Sequence, residues 1–264
     1  MKLQGNLRKM TTEWQAGEEV SYALPLGDQS LPLNPLLGKQ LRLEFTGAIH
    51  CVACNRKIKK SFQQGYCFPC MRKLPETDMC MVRPETCAFE QGGCRDADWG
   101  RRHCLIPHTV YLANSSGVKV GITRDLPVRR WIDQGAVQGL AILQTKGRYE
   151  SGLIEVALRP HITDKTNWRR MLAGDAGLVD LGQRLDQLRE FIPGQDGLEW
   201  LRAEPVRIIY PVREYPAKVS SLNFDKAPVV EGTLQGIKGQ YLLLDTGVIN
   251  IRKFTGYEVR AVSA

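Results

Sequence analysis

All eight cysteines of this 264-residue chain fall between Cys51 and Cys104, and thiolates are the strongest metal ligands it offers. Cys51-x2-Cys54 and Cys67-x2-Cys70 are two identical tight turns with twelve residues between them. Each turn aims two sulfurs at one point, so the pair completes a tetrahedral S4 shell for Zn2+. A redox CxxC would not need a second pair at ribbon spacing. Cys80, Cys87, Cys94 and Cys104 follow at gaps of six, six and nine residues, with His103 close by and His108 as a reserve ligand. They predict a second zinc site. The gaps are irregular enough that free thiols and an iron–sulfur cluster stay open alongside it.

Cations crowd the first cysteine group. Arg56, Lys57, Lys59, Lys60, Arg72 and Lys73 lie around it with no acidic residue from Asn55 to Lys73, leaving the region near +4 once zinc is bound. Phe62, Tyr66 and Phe68 are interleaved with them, a mixture suited to gripping phosphates while stacking on bases. Rings that merely cover the zinc turns are the other reading. The whole chain carries 36 Lys+Arg against 28 Asp+Glu, so its formal balance of +8 also favours an anionic partner.

The elements that must position these residues change character along the chain. Residues 1–48 read as an N-terminal β segment: Leu41, Leu43 and Phe45 share one face at period two, and Gly27-Asp28 and Asn34-Pro35 mark turns. Residues 49–107 are a cysteine-rich region too poor in apolar residues to be held by packing. Residues 108–202 read as a compact α/β core. Its expected parts are a hairpin from His108 to Thr123, a helix from Leu126 capped by Asp125, a strand from Leu140 to Gln144 and a helix from Ser151 to His161. Leu181, Leu185, Leu188 and Ile192 then mark one face of a further helix. Residues 203–264 return to β structure, with strands at Val206–Tyr210, Gly239–Leu244, Val248–Ile251 and Tyr257–Val262. Pairing of this β-rich finish with the β-rich start would close one sheet.

Within the core, Thr109-Val110-Tyr111 and Lys119-Val120-Gly121 face each other across the turn at Asn114–Gly117, and Arg129 and Arg130 follow eight and nine residues after Gly121. Here the sequence resembles the GIY-YIG nuclease superfamily, in which a hairpin with a tyrosine-bearing triplet on each strand precedes a helix carrying an arginine and a later helix carrying a glutamate. The resemblance places Tyr111 in the first triplet, Lys119 where the second triplet has tyrosine, and Arg129 at the helix arginine, with Arg130 beside it as a nucleic-acid contact. Glu155 then matches the metal-binding glutamate, and Asn167 or a neighbour the late asparagine. It implies that Glu155 holds one Mg2+ or Mn2+, that Tyr111 helps deprotonate water and that the arginine steadies the scissile phosphate. Lys119 and the missing glycine of the first triplet are departures from the pattern. The motifs GGCR at Gly92–Arg95, KVGITR, RWIDQGA at Arg130–Ala136 and DKTNW at Asp164–Trp168 also resemble a bacterial domain family of unknown function, which implies no activity.

The expected fold is α+β: a zinc knuckle, a small mixed α/β core and antiparallel β elements at both ends. The expected function is a zinc-containing nucleic-acid-binding protein, DNA or RNA, whose core cleaves phosphodiesters with Mg2+ or Mn2+. The alternatives are a non-catalytic RNA- or DNA-binding adaptor and a zinc-module platform for a protein partner. Polar runs at Trp131–Gly135 and Asp164–Arg170 either line a groove beside the hairpin or serve as turn and capping chemistry. With no apolar run of membrane-spanning length and none of a signal peptide in MKLQGNLRKMTTEW, a cytoplasmic protein without membrane contact is expected. A phosphate-cradling Gly-rich loop, a nucleophile elbow and an HExxH helix are all missing, which argues against nucleotide hydrolysis, esterase and zincin chemistry.

Overall fold

The computed structural model describes residues 2–162, 166–174, 176–194 and 197–263. The chain forms two compact units, one of residues 1–71, 172–174 and 208–264, the other of residues 72–171 and 175–207. The first begins with strands β1 (Lys2–Asn6), β2 (Thr11–Glu13), β3 (Ser21–Leu26), β4 (Gln29–Pro32), β5 (Gln40–His50) and β6 (Lys57–Ile58), then helix α1 (Phe68–Lys73). Tyr22, Leu24 and Leu26 alternate with more exposed neighbours along β3, as a half-buried strand requires, and Leu26 pairs with Gln29 across the two-residue Gly27-Asp28 turn. Along β5, Leu41 and Leu43 are buried and Arg42 is exposed. That strand runs five residues beyond the expected Phe45, because Ile49 still has a pairing partner in Tyr257.

The second unit contains α2 (Ala97–His103), β7 (His108–Asn114), β8 (Val118–Thr123), α3 (Pro127–Asp133), β9 (Gln138–Thr145) and α4 (Arg148–Leu158). After α5 (Trp168–Leu172) come α6 (Leu181–Leu188), β10 (Glu199–Trp200) and β11 (Val206–Arg207). Its antiparallel sheet has the order β10-β9-β7-β8, with β11 also on β9. The central strand β7 is buried along its whole length. Val110 and Leu112 from it share one core with Ile142 of β9, Ile154 and Leu158 of α4, and Leu181 and Leu188 of α6. In the hairpin Tyr111 lies opposite Gly121, and a Cβ at Gly121 would stand 2.5 Å from the tyrosine oxygen. The glycine therefore makes room for that ring.

Three local expectations change. Asp125 does not cap α3: the N-cap is Leu126 with Pro127 opening the helix, and the Asp125 N–H is instead taken by the Thr123 hydroxyl. Helix α4 starts three residues early at Arg148 and ends at Leu158, where Pro160 removes the donor that a longer helix would need. The strand expected over Val206–Tyr210 pairs with β9 only at Val206–Arg207, and Ile209 forms an isolated parallel bridge with Glu19.

The chain then returns to the first unit as β12 (Val229–Lys238), β13 (Tyr241–Leu244), β14 (Gly247–Asn250) and β15 (Tyr257–Ser263). The sheet order is β1-β15-β5-β12-β13-β14, all neighbours antiparallel, with β6 attached to β5. The β segments near the two ends of the chain thus share one sheet. Lys238 is fully buried in this unit, its ammonium 5.5 Å from the centre of the Tyr210 ring and 5.1 Å from that of Tyr215. Burial lowers its pKa from 10.5 to about 8.

Candidate functional site

The first cysteine group is built on a hairpin. Strand β5 delivers Cys51 at its end, β6 folds back with Ile58 opposite Ile49, and α1 brings Cys70, with Cys67 immediately before it. Asn55, directly after Cys54, has a left-handed backbone (φ 57°), the turn that returns the chain toward β6. All four sulfurs lie within 4.8 Å of one another, and those of Cys54 and Cys67 are 3.8 Å apart. A zinc ion bonded to sulfur at about 2.3 Å sets tetrahedral S···S distances near 3.8 Å, so the group fits one ion.

The local electrostatics favour thiolates at one end of the group and resist them at the other. Burial pushes the Cys51 thiol up, but the backbone N–H groups of Cys54, Cys67 and Ala53 outweigh it and bring the pKa to about 6. The Arg56 N–H lowers that of Cys54, and the Arg56 guanidinium is in turn held charged by the same sulfur. Cys70 is pushed up to about 12, first by its hydrogen bond with Cys67. Four sulfurs this close repel as anions, and a divalent cation at their centre removes that repulsion.

A cleft of about 690 Å3 opens beside the hairpin, lined by Lys59 and Lys60 from the cysteine loop and by Arg252 and Lys253 from the turn after β14. Lys59, Lys60 and Lys253 form no ion pair among the described residues. Lys60 lies 5.5 Å from the centre of the Phe62 ring, which packs 5.6 Å from Phe68. The cleft's carboxylate, Asp225, accepts a 2.8 Å hydrogen bond from the Tyr257 hydroxyl, and the Arg252 Nε donates to Gln64 at 2.6 Å. Lys57, Arg72 and Lys73 are exposed but do not line it. Arg252, Lys253 and Asn250 were not anticipated; their signal was a basic Asn-Ile-Arg-Lys run between two strands, some 190 residues from the cysteines.

In the second unit Cys80, Cys87, Cys94 and Cys104 line a common cavity of about 80 Å3. Among the described residues the group whose ligand atoms all fall within 4.8 Å is the first one, so the second is more widely spread. Neither histidine faces this cavity. His103 stacks on Trp99 and its Nδ1 is 2.9 Å from the Trp99 carbonyl oxygen; His108 is buried with Nδ1 2.8 Å from that of Ile106, and burial lowers its pKa.

The hairpin residues form a further group. Tyr111 is completely buried, and its hydroxyl donates to the Gln134 side-chain oxygen at 3.3 Å. Burial raises its pKa, against the pull of Arg130 and Gln134 and with a push from Glu155, so all three stand within electrostatic reach of the phenol. Arg130 therefore faces the tyrosine, while Arg129 is exposed. Lys119 is buried and donates to Thr166 at 2.7 Å. Asn167 is exposed; its side-chain oxygen accepts from the Arg170 N–H at 3.2 Å and its own N–H donates to Ser116 at 2.9 Å. Asp164 and Lys165 of the second polar run lie outside the described residues.

Taken together, these features define a mixed α/β protein with several antiparallel sheets, six α-helices among the described residues and a four-cysteine group able to hold a metal ion. No helix among the described residues is long and apolar enough to cross a membrane. The chain belongs to the family described as protein of unknown function (DUF2797), whose model matches residues 38–259. No curated protein and no solved structure matches it.

Proposed function

We propose that this is a zinc-containing nucleic-acid-binding protein that grips phosphates in the cleft beside its cysteine hairpin. The observation that carries the reading is the convergence of Lys59, Lys60, Arg252 and Lys253 on one cleft whose carboxylate already holds a tyrosine hydroxyl. Cations at the wall of a concave surface displace the counterions of a phosphate backbone, and that release supplies sequence-independent affinity. Zinc on Cys51, Cys54, Cys67 and Cys70 would hold the loop that carries two of the four cations. The test is fluorescence anisotropy of the full chain with single-stranded and duplex DNA and RNA across a salt series. Steep loss of affinity with salt supports the cleft, and the same affinity and slope after Lys59→Glu with Lys60→Glu would remove it.

Cleavage is the second element of the proposal. The order hairpin, arginine helix, later glutamate helix is the one the GIY-YIG resemblance implies, and Arg130 and Glu155 each act electrostatically on Tyr111. Glu155 would hold Mg2+ or Mn2+, which polarises a phosphodiester and its attacking water when bound. Arg130 would orient the phosphate. The adaptor reading has its own observation: Tyr111 is wholly buried on Gln134, and Lys119 is tied to Thr166. Metal-dependent cutting abolished by Glu155→Gln, with binding retained, decides for the nuclease. Binding without cutting decides for the adaptor.

A further inference from the structure

Among the described residues, the second cysteine group is more widely spread than the first. Each of its ligands comes from a separate short element: Cys80 from the 3-10 turn Met79–Met81, Cys87 from the end of Pro84–Thr86, Cys94 from a loop and Cys104 from the C-terminus of α2. Nevertheless all four face one cavity. Cys80 feels the charge of Cys87 and Cys104, and Cys104 that of Cys87 and Cys94, so they converge as a foursome rather than as two separated pairs. Four sulfurs on one zinc ion stand about 3.8 Å apart and leave no void between them. Here the four cysteines share a cavity of about 80 Å3 with nine other lining residues.

We propose that Cys80, Cys87, Cys94 and Cys104 hold an iron–sulfur cluster of the four-iron class. A cubane of four irons and four sulfides binds one thiolate at each iron, which sets the thiolates farther apart than one ion can, and fills the space between them. The cavity wall suits such a guest. Phe89 and Trp99 supply apolar cover, and Gly100 lets α2 approach: a Cβ there would stand 2.9 Å from the Phe89 ring and 3.1 Å from the Cys94 sulfur. Arg95, ion-paired with Asp78, lines the cavity, and Arg124 and Arg148 act electrostatically on Cys104, giving a buried anionic cluster compensating charge. The Cys94 thiol donates to the Asp96 carbonyl at 3.1 Å, a contact its thiolate would give up on turning to iron. Among the described residues, 72–106 contain one seven-residue helix and three single 3-10 turns. A ligand that ties four of these pieces together supplies the order that such a segment lacks.

This inference does not depend on nucleic-acid binding. The test is metal analysis of the full chain purified without oxygen, then again after incubation with ferrous iron and sulfide. The expected content is one zinc with about four irons and four acid-labile sulfides per chain, with visible absorption that bleaches on reduction. Cys94→Ser should lose iron and keep zinc, and Cys54→Ser the reverse. Two zinc ions and no iron in the wild-type chain would overturn the proposal, as would one zinc and an empty second group after incubation. Two irons with two sulfides would overturn the four-iron assignment.

Discussion

The first cysteine group hangs on ladder hydrogen bonds between β5 and β6 and on the start of α1, whereas the second is carried by loops and single turns. The first is tight because each CxxC turn fixes two sulfurs before any tertiary contact forms. In the second every ligand is placed by a different piece of chain, so the distances between sulfurs are set by the fold around them. A site assembled from local turns is written in residue spacing; one assembled from distant turns is not.

The largest expected effect tests the first half of that contrast. Cys67→Ser removes a buried ligand and forfeits zinc binding free energy on the order of 10 kcal/mol, comparable to the whole stability of a domain. Circular dichroism and zinc content should both register the loss, and a folded variant retaining a full zinc ion would break the comparison. Next comes charge. Reversing Lys59, Lys60, Arg252 and Lys253 together removes up to four phosphate contacts, so the slope of log affinity against log salt should become shallower by as much as about 3.6. Reversing only Arg252 and Lys253 asks whether the contribution invisible in the sequence is real; an unchanged slope says it is not.

Smaller effects sharpen the difference between the two units. Gly121→Ala forces a methyl against the Tyr111 ring and should cost about 1–3 kcal/mol, read as a lowered urea midpoint. No change there would mean that the ring has room to move. A further effect concerns Lys238. Because folding lowers its pKa from 10.5 to about 8, the folded state binds fewer protons between those values. The burial penalty is complete below pH 8 and fades as pH rises to 10.5, so this residue makes stability increase across that window. The two tyrosine rings offset part of the penalty at the low end. Lys238→Met should flatten that rise in thermal midpoint, and an identical pH profile would show that the ammonium is not desolvated.

Period-two patterning made Leu41 and Leu43 legible as a strand, and the 3.6-residue spacing of Leu181, Leu185 and Leu188 marked α6. The CxxC spacing made the metal group legible for the reason given above. Arg129 and Arg130, adjacent in sequence, could not be ranked from spacing, because their directions depend on how α3 packs against β7. Asp125 read as a cap because capping residues are recognised by type, but Leu126 occupies the N-cap position and no side chain caps the helix. Lys253 and Asn250 lay beyond reach, since only strand pairing brings residues so distant in sequence to the cysteine loop.

The shared sheet also sets an order of events during synthesis. Strand β5 is made early, yet its partners β12 and β15 follow about 180 to 207 residues later, which at roughly 5–20 residues per second is a wait of some 9 to 41 s. For that interval the apolar face carrying Leu41 and Leu43 stands without its sheet. The cysteine hairpin needs nothing beyond Cys70, so on a growing chain metal capture can come first and leave the nascent strand anchored at one end while the rest is still being translated.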